Sequence, residues 1–364
     1  MKFRLFDLLR CSCGKRDLQL INQDVVPVEF IAPLTKVMCS QYCGLRSFHI
    51  EEASITPEDC KECYGKEIRE GTIFCSCGKK YPVHEGIPRF LPDSLRPDFQ
   101  KIQRTFSYEW KMFRFGERNW GQDIEYRKSL FLRGMGVTPD TLGGKLIFDA
   151  GCGSGLLSME MAQSFGMEVV ALDLASGIEK AYKYNKNPFV YFIQGSVLEP
   201  PLREACFDYV YCAGVLVALP DTKTGFRTII KQLTKGGRCF IWVYHPIDRK
   251  FHHKDFMKMT VYNAIRKHIT SRLPISTQYY LYLTLMPAFL MKQKIELLAG
   301  RKQKKDALTL REKMQALFDM FSPTYQNRHT PEEVMEWYKE EGFENITVSD
   351  IGPYGFGLYG NLGQ

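Results

Sequence analysis

The sequence predicts an α/β fold: a parallel sheet with helices on both faces, preceded by a small cysteine-rich module and broken by a helical insertion. Three observations predict it. From Lys145 onward, short β-rich runs alternate with helical ones at the spacing of right-handed crossovers. Eight of the twelve cysteines fall in pairs before residue 78. Between Arg249 and Lys305, 13 Lys and Arg stand against two acids, Asp255 and Glu296, in a chain whose formal charge is only +8.

The composition, 45% hydrophobic and 25% charged, is that of a globular protein with a buried core and excludes a mainly disordered chain. The opening stretch MKFRLFDLLRCSCG is interrupted by Arg4, Asp7 and Arg10, so it lacks the apolar block of a secretory signal, and a cytoplasmic protein is expected. The most apolar run, Tyr279 to Met291, is shorter than the roughly 20 residues needed to cross a bilayer and contains Pro287.

Five regions follow in order. Residues 1–92 form the cysteine-rich module, which leaves through the proline-stiffened stretch YPVHEGIPRFLPD. Residues 93–140 read as an aromatic helical linker, with Tyr108 and Trp110 as candidate lid residues. In 141–245 the runs KLIFDA, MEVVALDL, FVYFIQG, FDYVYCAG and RCFIWVYH read as strands separated by helices. Residues 246–320 are the basic insertion, expected to cover the site as a helical lid. In 321–364, Thr330, Pro331 and Glu333 give a helix start with the spacing of a capping box, followed by two closing strands.

The cysteine pairs read as metal ligands, because paired thiolates on tight turns grip a soft cation in a reducing compartment. The candidates are Cys11, Cys13, Cys39, Cys43, Cys60, Cys63, Cys75 and Cys77, holding one or two structural zinc ions, with His49 or His84 able to replace a ligand. C-S-Q-Y-C followed by C-K-E-C has the spacing nearer to a free-standing zinc knuckle. Cys152, Cys206, Cys212 and Cys239 lie in apolar context and read as core.

The chemistry concentrates at KLIFDAGCGSG. Gly151, Gly153 and Gly155 run G-x-G-x-G, not the G-x-G-x-x-G of a dinucleotide loop, and no Lys with Ser or Thr follows as a P-loop requires. Asp149 at the mouth of the bend would repel a pyrophosphate but suits an ammonium and a sulfonium, which favours S-adenosylmethionine. MEVVALDL ends in Asp173, about twenty residues after the glycines, where a carboxylate can accept both ribose hydroxyls.

Together D-A-G-C-G-S-G, A-L-D-L-A-S-G, F-I-Q-G-S-V, F-D-Y-V-Y-C-A-G-V-L, L-T-K-G-G-R and I-W-V-Y-H-P resemble the successive motifs of class I S-adenosylmethionine-dependent methyltransferases, over roughly residues 140–245. The resemblance implies a Rossmann-like, seven-stranded sheet. It also implies that Asp149, Gly151, Gly153 and Gly155 hold the methionine end, Asp173 and Leu174 the ribose, Ser196 and Val197 the adenine edge, and that Ala213 and Gly214 lie beside the methyl group. Ser196 stands where relatives commonly carry an acid, and GVLVALPD offers no polar group at Val217 or Ala218. The flanks LLRCSCGKRDLQL and GTIFCSCGKKYPVHEGIPRFLPD resemble the zinc-ribbon activator subunit of tRNA and release-factor methyltransferases, which implies a fusion of that module to the enzyme.

For catalysis the candidates are His329, as general base, and Tyr325, as a substrate contact, both in FDMFSPTYQNRHTPEEV. The leading functional reading is methyl transfer to a small, lipid-linked or nucleotide-linked metabolite, with the basic aromatic insertion contacting the substrate or a membrane surface. A second reading is an RNA (tRNA or rRNA) methyltransferase, and a third a cofactor-binding scaffold without turnover.

Overall fold

A computed structural model describes the chain except residues 15–17, 33, 52–53, 92–95, 116, 119–120, 249–254, 301–306 and 350–353. A buried 3-10 turn at Phe3–Asp7 leads into β1 (Leu18–Pro27), β2 (Tyr42–Cys43), β3 (Phe48–His49) and α1 (Pro57–Tyr64), then β4 (Lys66–Cys75), β5 (Lys80–His84) and β6 (Ile87–Phe90). α1 starts where Thr56 and Asp59 satisfy each other's backbone N–H groups. β1, β4, β5 and β6 form an antiparallel meander.

Next come α2 (Pro97–Met112) and α3 (Ile124–Met135), then β7 (Leu146–Ala150), α4 (Leu156–Phe165), β8 (Glu168–Asp173), α5 (Gly177–Tyr184), β9 (Val190–Gly195), β10 (Phe207–Ala213), α6 (Thr222–Ile229) and β11 (Leu233–Tyr244). β7, β8, β9, β10 and β11 are parallel neighbours. β7 is buried along its whole length, as a central strand covered on both faces must be, which is why LIFDA is nearly all apolar. The insertion supplies α7 (Phe256–His268), α8 (Ile275–Leu298) and α9 (Leu310–Phe321). The chain ends in α10 (Pro331–Glu340), β12 (Phe343–Ser349) and β13 (Gly355–Leu362). β13 lies antiparallel between β11 and β12.

The sheet therefore has eleven strands, in the order β1-β4-β5-β6-β9-β8-β7-β10-β11-β13-β12, not the seven expected. Seven of them come from residue 146 onward. The other four join through β6, which pairs parallel to β9 at Arg89–Gln194 and Phe90–Gly195. Buried polar contacts reinforce this seam. Arg4 reaches Asp7 at 2.7 Å and Glu168 at 2.9 Å, and the Tyr64 and Tyr191 hydroxyls meet at 2.5 Å.

The start of α10 departs from the expected capping box in one detail. Thr330 accepts the Glu333 N–H as expected, but the Glu333 carboxylate turns to His329.

Candidate cofactor site and metal centre

Asp149 is the penultimate residue of β7, and after Ala150 the chain must turn from a buried strand into α4 within five residues. It does so through three left-handed glycines: Gly151 at φ 90°, Gly153 at φ 58° and Gly155 at φ 67°. Close approach requires glycine as much as the dihedrals do. A Cβ on Gly151 would lie 2.3 Å from Val215, and one on Gly153 would lie 2.3 Å from the Trp110 indole. Trp110 also lies over Gly177, so α2 closes the bend from above.

Two carboxylates stand at this bend. Asp173, ending β8, accepts the Gly153 N–H at 2.8 Å through one oxygen and the Ala175 N–H at 2.7 Å through the other. Asp149 is buried and accepts the Ser158 hydroxyl at 2.5 Å. Burial pushes both up to about 6; the backbone N–H groups on Asp173, and Ser158 and Arg127 beside Asp149, hold them back from rising further. Arg127, from α3, has a buried Nη1 with no hydrogen-bond partner among the described residues; burial lowers its guanidinium while Tyr211 and Asp149 act to raise it.

A second group of polar residues gathers around Tyr244. Tyr108 of α2 packs on Phe318 of α9 with ring centroids 5.1 Å apart, which sets the next residues, Glu109 and Asp319, in each other's field. Glu109 is 1% exposed, and its Oε2 has no hydrogen-bond partner among the described residues. Burial, then Asp319, drives Glu109 well above the carboxylate range, whereas burial pushes Asp319 only to about 6. Tyr244, ending β11, feels Asp319, Arg328, Glu109 and Arg266 together. Arg328 lies over the Tyr244 ring at 5.2 Å and is lowered to about 10 by burial. Glu109 has a legible signal, since it falls in phase with Phe99, Ile102 and Thr105 on the buried face of α2.

The remaining sequence candidates are placed as follows. The Leu174 carbonyl accepts Gln103 and Gln194 side-chain amides, each at 3.2 Å. Ser196 follows β9, and its hydroxyl accepts the Leu198 N–H at 3.2 Å; Val197 beside it is buried. Ala213 ends β10 and is exposed. Tyr325 packs at the edge of the main core. His329 meets Thr222 Oγ1 through Nε2 and Glu333 through Nδ1, each at 3.0 Å, and packs edge-on to Trp337, so it ties α6 to α10.

The outer cysteine pairs converge. Sγ atoms of Cys11, Cys13, Cys75 and Cys77 all lie within 4.8 Å of one another, with Cys11–Cys77 and Cys13–Cys75 at 3.7 Å. A tetrahedron with Zn–S bonds of about 2.3 Å has edges of about 3.8 Å, so the four sulfurs are spaced for such an ion. The register Leu18–Cys75 in the β1–β4 pair brings the two flanks together. Among the described residues no second group gathers so closely: Cys39, Cys43, Cys60 and Cys63 are neighbours, and burial raises the thiols of Cys39, Cys43 and Cys63.

Residues 148–241 match the family model described as a methyltransferase domain. Ubiquinone biosynthesis O-methyltransferase of an Azoarcus species is 32% identical over 114 residues, covering 30% of this chain and 47% of that protein. Sterol 24-C-methyltransferase of Saccharomyces cerevisiae is 25% identical over 165 residues, covering 40% and 43%. Among solved structures, phosphoethanolamine N-methyltransferase 2 of Haemonchus contortus aligns with a TM-score of 0.44 at 16% identity, covering 76% of this chain and 62% of that one. The chain spans less than half the length of these two curated relatives. The similarity to a methyltransferase domain is thus confined to the segment that holds the glycine bend and its two carboxylates.

Proposed function

We propose that the protein transfers a methyl group from S-adenosylmethionine to a small, lipid-linked or nucleotide-linked metabolite, and that Cys11, Cys13, Cys75 and Cys77 hold one structural zinc ion. The observation that carries the first part is the bend itself, with two carboxylates and a buried arginine Nη1 around it that has no partner among the described residues. These residues fit the donor: Arg127 for its carboxylate, Asp149 for its ammonium, Asp173 for the ribose hydroxyls, and Ser196 with Val197 for the adenine edge. When bound, the donor supplies an activated methyl on a sulfonium.

The chain's own residues then position and deprotonate the acceptor. Trp110 excludes water from the glycine bend. Burial and the neighbouring Asp319 favour the protonated form of Glu109, whose carboxyl then offers a hydrogen bond. Asp319, ionised above pH 6, takes the proton of an amine or hydroxyl acceptor; two carboxyls held at different protonation states is a recurring acid–base arrangement. Tyr325, at the edge of the main core, is a candidate substrate contact, and His329 is a second candidate for the proton.

Calorimetric titration with S-adenosylhomocysteine tests the reading. The native chain is expected to bind one equivalent and the Asp173→Ala chain none. Absence of heat with both donor and product would overturn it.

A further inference from the structure

We infer that the outward face of α8 docks on an anionic lipid bilayer. One face of α8 is covered. Gln278, Tyr282 and Met286 are buried there, with Tyr282 against Phe318 of α9 at 5.0 Å and Tyr279 against Tyr108 of α2 at 5.9 Å. The opposite face is as apolar and lies open. Tyr280, Leu283, Leu290, Met291, Ile295 and Leu298 follow the helical repeat along one stripe, and Tyr280, Met291 and Leu298 are 65%, 63% and 79% exposed. At about 1.5 Å per residue the stripe runs roughly 27 Å.

A helix that is apolar on both faces has its second face covered by something, and a contiguous exposed stripe marks an interaction surface. Spanning a bilayer is not the answer, since no helix among the described residues is long and apolar enough to cross one. Charge selects the occupant. Lys294 falls within the stripe and Lys292 at its flank, Arg272 precedes the helix, and Lys267 lies in the last turn of α7. The two acids between Arg249 and Lys305 are already beside lysines, Asp255 at 3.2 Å from Lys258 and Glu296 at 3.9 Å from Lys292. A second copy of this chain would set cations against cations. A bilayer of anionic headgroups neutralises them while its acyl boundary takes the apolar stripe.

The inference does not depend on methyl transfer. It has a consequence for that reading, because the covered side of α8 packs on the helices that carry Glu109 and Asp319, so a lipid-linked acceptor would leave the bilayer next to the site.

Cosedimentation of the full chain with vesicles provides the test, using phosphatidylcholine alone and phosphatidylcholine mixed with phosphatidylglycerol. Binding is expected to the mixed vesicles, at least ~10-fold above the neutral ones, and to fall by at least ~10-fold in Met291→Asp/Leu298→Asp and in Lys292→Glu/Lys294→Glu, with unchanged thermal transitions. Failure of the native chain to bind, or binding indifferent to both double variants, overturns the inference. So does a native dimer in sedimentation analysis that ignores vesicles and dissociates in Met291→Asp/Leu298→Asp, since a second copy would then be the occupant.

Discussion

The Asp173 carboxylate accepts the Gly153 N–H at 2.8 Å, so the end of the second core strand clamps the glycine bend that follows the first. The same carboxylate is the candidate ribose ligand, which makes bend geometry and ligand binding one property. Asp173→Ala is expected to cost about 1–3 kcal/mol of stability, because Gly153 N–H loses its acceptor. It should also abolish the thermal shift produced by S-adenosylhomocysteine. An Asp173→Ala chain that keeps that shift would show that the ligand is held elsewhere.

Gly153 tests the roof of the site. Gly153→Ala places a Cβ 2.3 Å from the Trp110 indole on a residue at φ 58°. Backbone strain of this kind costs about 1–3 kcal/mol, and the clash adds to it. Trp110→Ala in the same chain should recover the clash but not the backbone cost, so denaturant midpoints of the single and double variants separate the two. Full recovery in the double variant would mean that the left-handed bend imposes nothing on this position.

Stability and ligand binding should respond to pH in opposite directions. Asp149, Asp173 and Asp319 have an ordinary value of 3.8, and each is raised to about 6 in the fold. Between these values the folded chain keeps protons on these three groups that the unfolded chain has released, so their contribution to stability is full below about pH 4 and is lost as pH rises through 6. Binding of a donor that needs Asp149 and Asp173 as acceptors strengthens over the same interval. Thermal melts and titrations at pH 5, 6 and 7.5 check both slopes. Asp319→Asn should flatten part of the stability slope and raise the midpoint at pH 7.5, since it removes a carboxylate that burial disfavours.

What could be read from the sequence follows how local each signal is. Gly151, Gly153, Gly155, Asp149 and Asp173 sit within 25 residues on a strand–turn–helix–strand unit, and spacing alone brings them together. Glu109 and Asp319 are some two hundred residues apart and meet only because α2 packs on α9, so the pair was out of reach although the buried phase of Glu109 was visible. Of the four added strands, only the turns and cysteine pairs around them were legible. Their union with the core was not, because the parallel contact of Arg89 and Phe90 with Gln194 and Gly195 leaves no periodic trace in either segment. Among the cysteines, pairing was evident, but the convergence of the outer pairs depends on the register of β1 against β4.

His329 separates a brace from a base. Its ring holds Thr222 and Glu333 and packs on Trp337, so His329→Ala is expected to lower stability by about 1–2 kcal/mol while binding of S-adenosylhomocysteine changes less than ~3-fold. An unchanged denaturant midpoint would remove the bracing role and leave proton transfer as the reason for a histidine there.

The four-sulfur centre bears on the whole sheet. Cys11 and Cys13 precede β1, while Cys75 and Cys77 stand at the turn between β4 and β5, so an ion there fixes the hairpin that leads to β6 and through it to β9. Metal analysis of the native chain is expected to give one zinc per molecule, and Cys75→Ser or prolonged chelation should remove it. Structural zinc contributes several kcal/mol to domains of this size, so the thermal midpoint should fall by several degrees together with protection of the β1–β4 amides from hydrogen exchange. Two zinc ions per molecule would mean that Cys39, Cys43, Cys60 and Cys63 also close on a metal, and Cys60→Ser would then remove only the second. A metal-free chain with the native midpoint would show that the thiols are packed for the core alone.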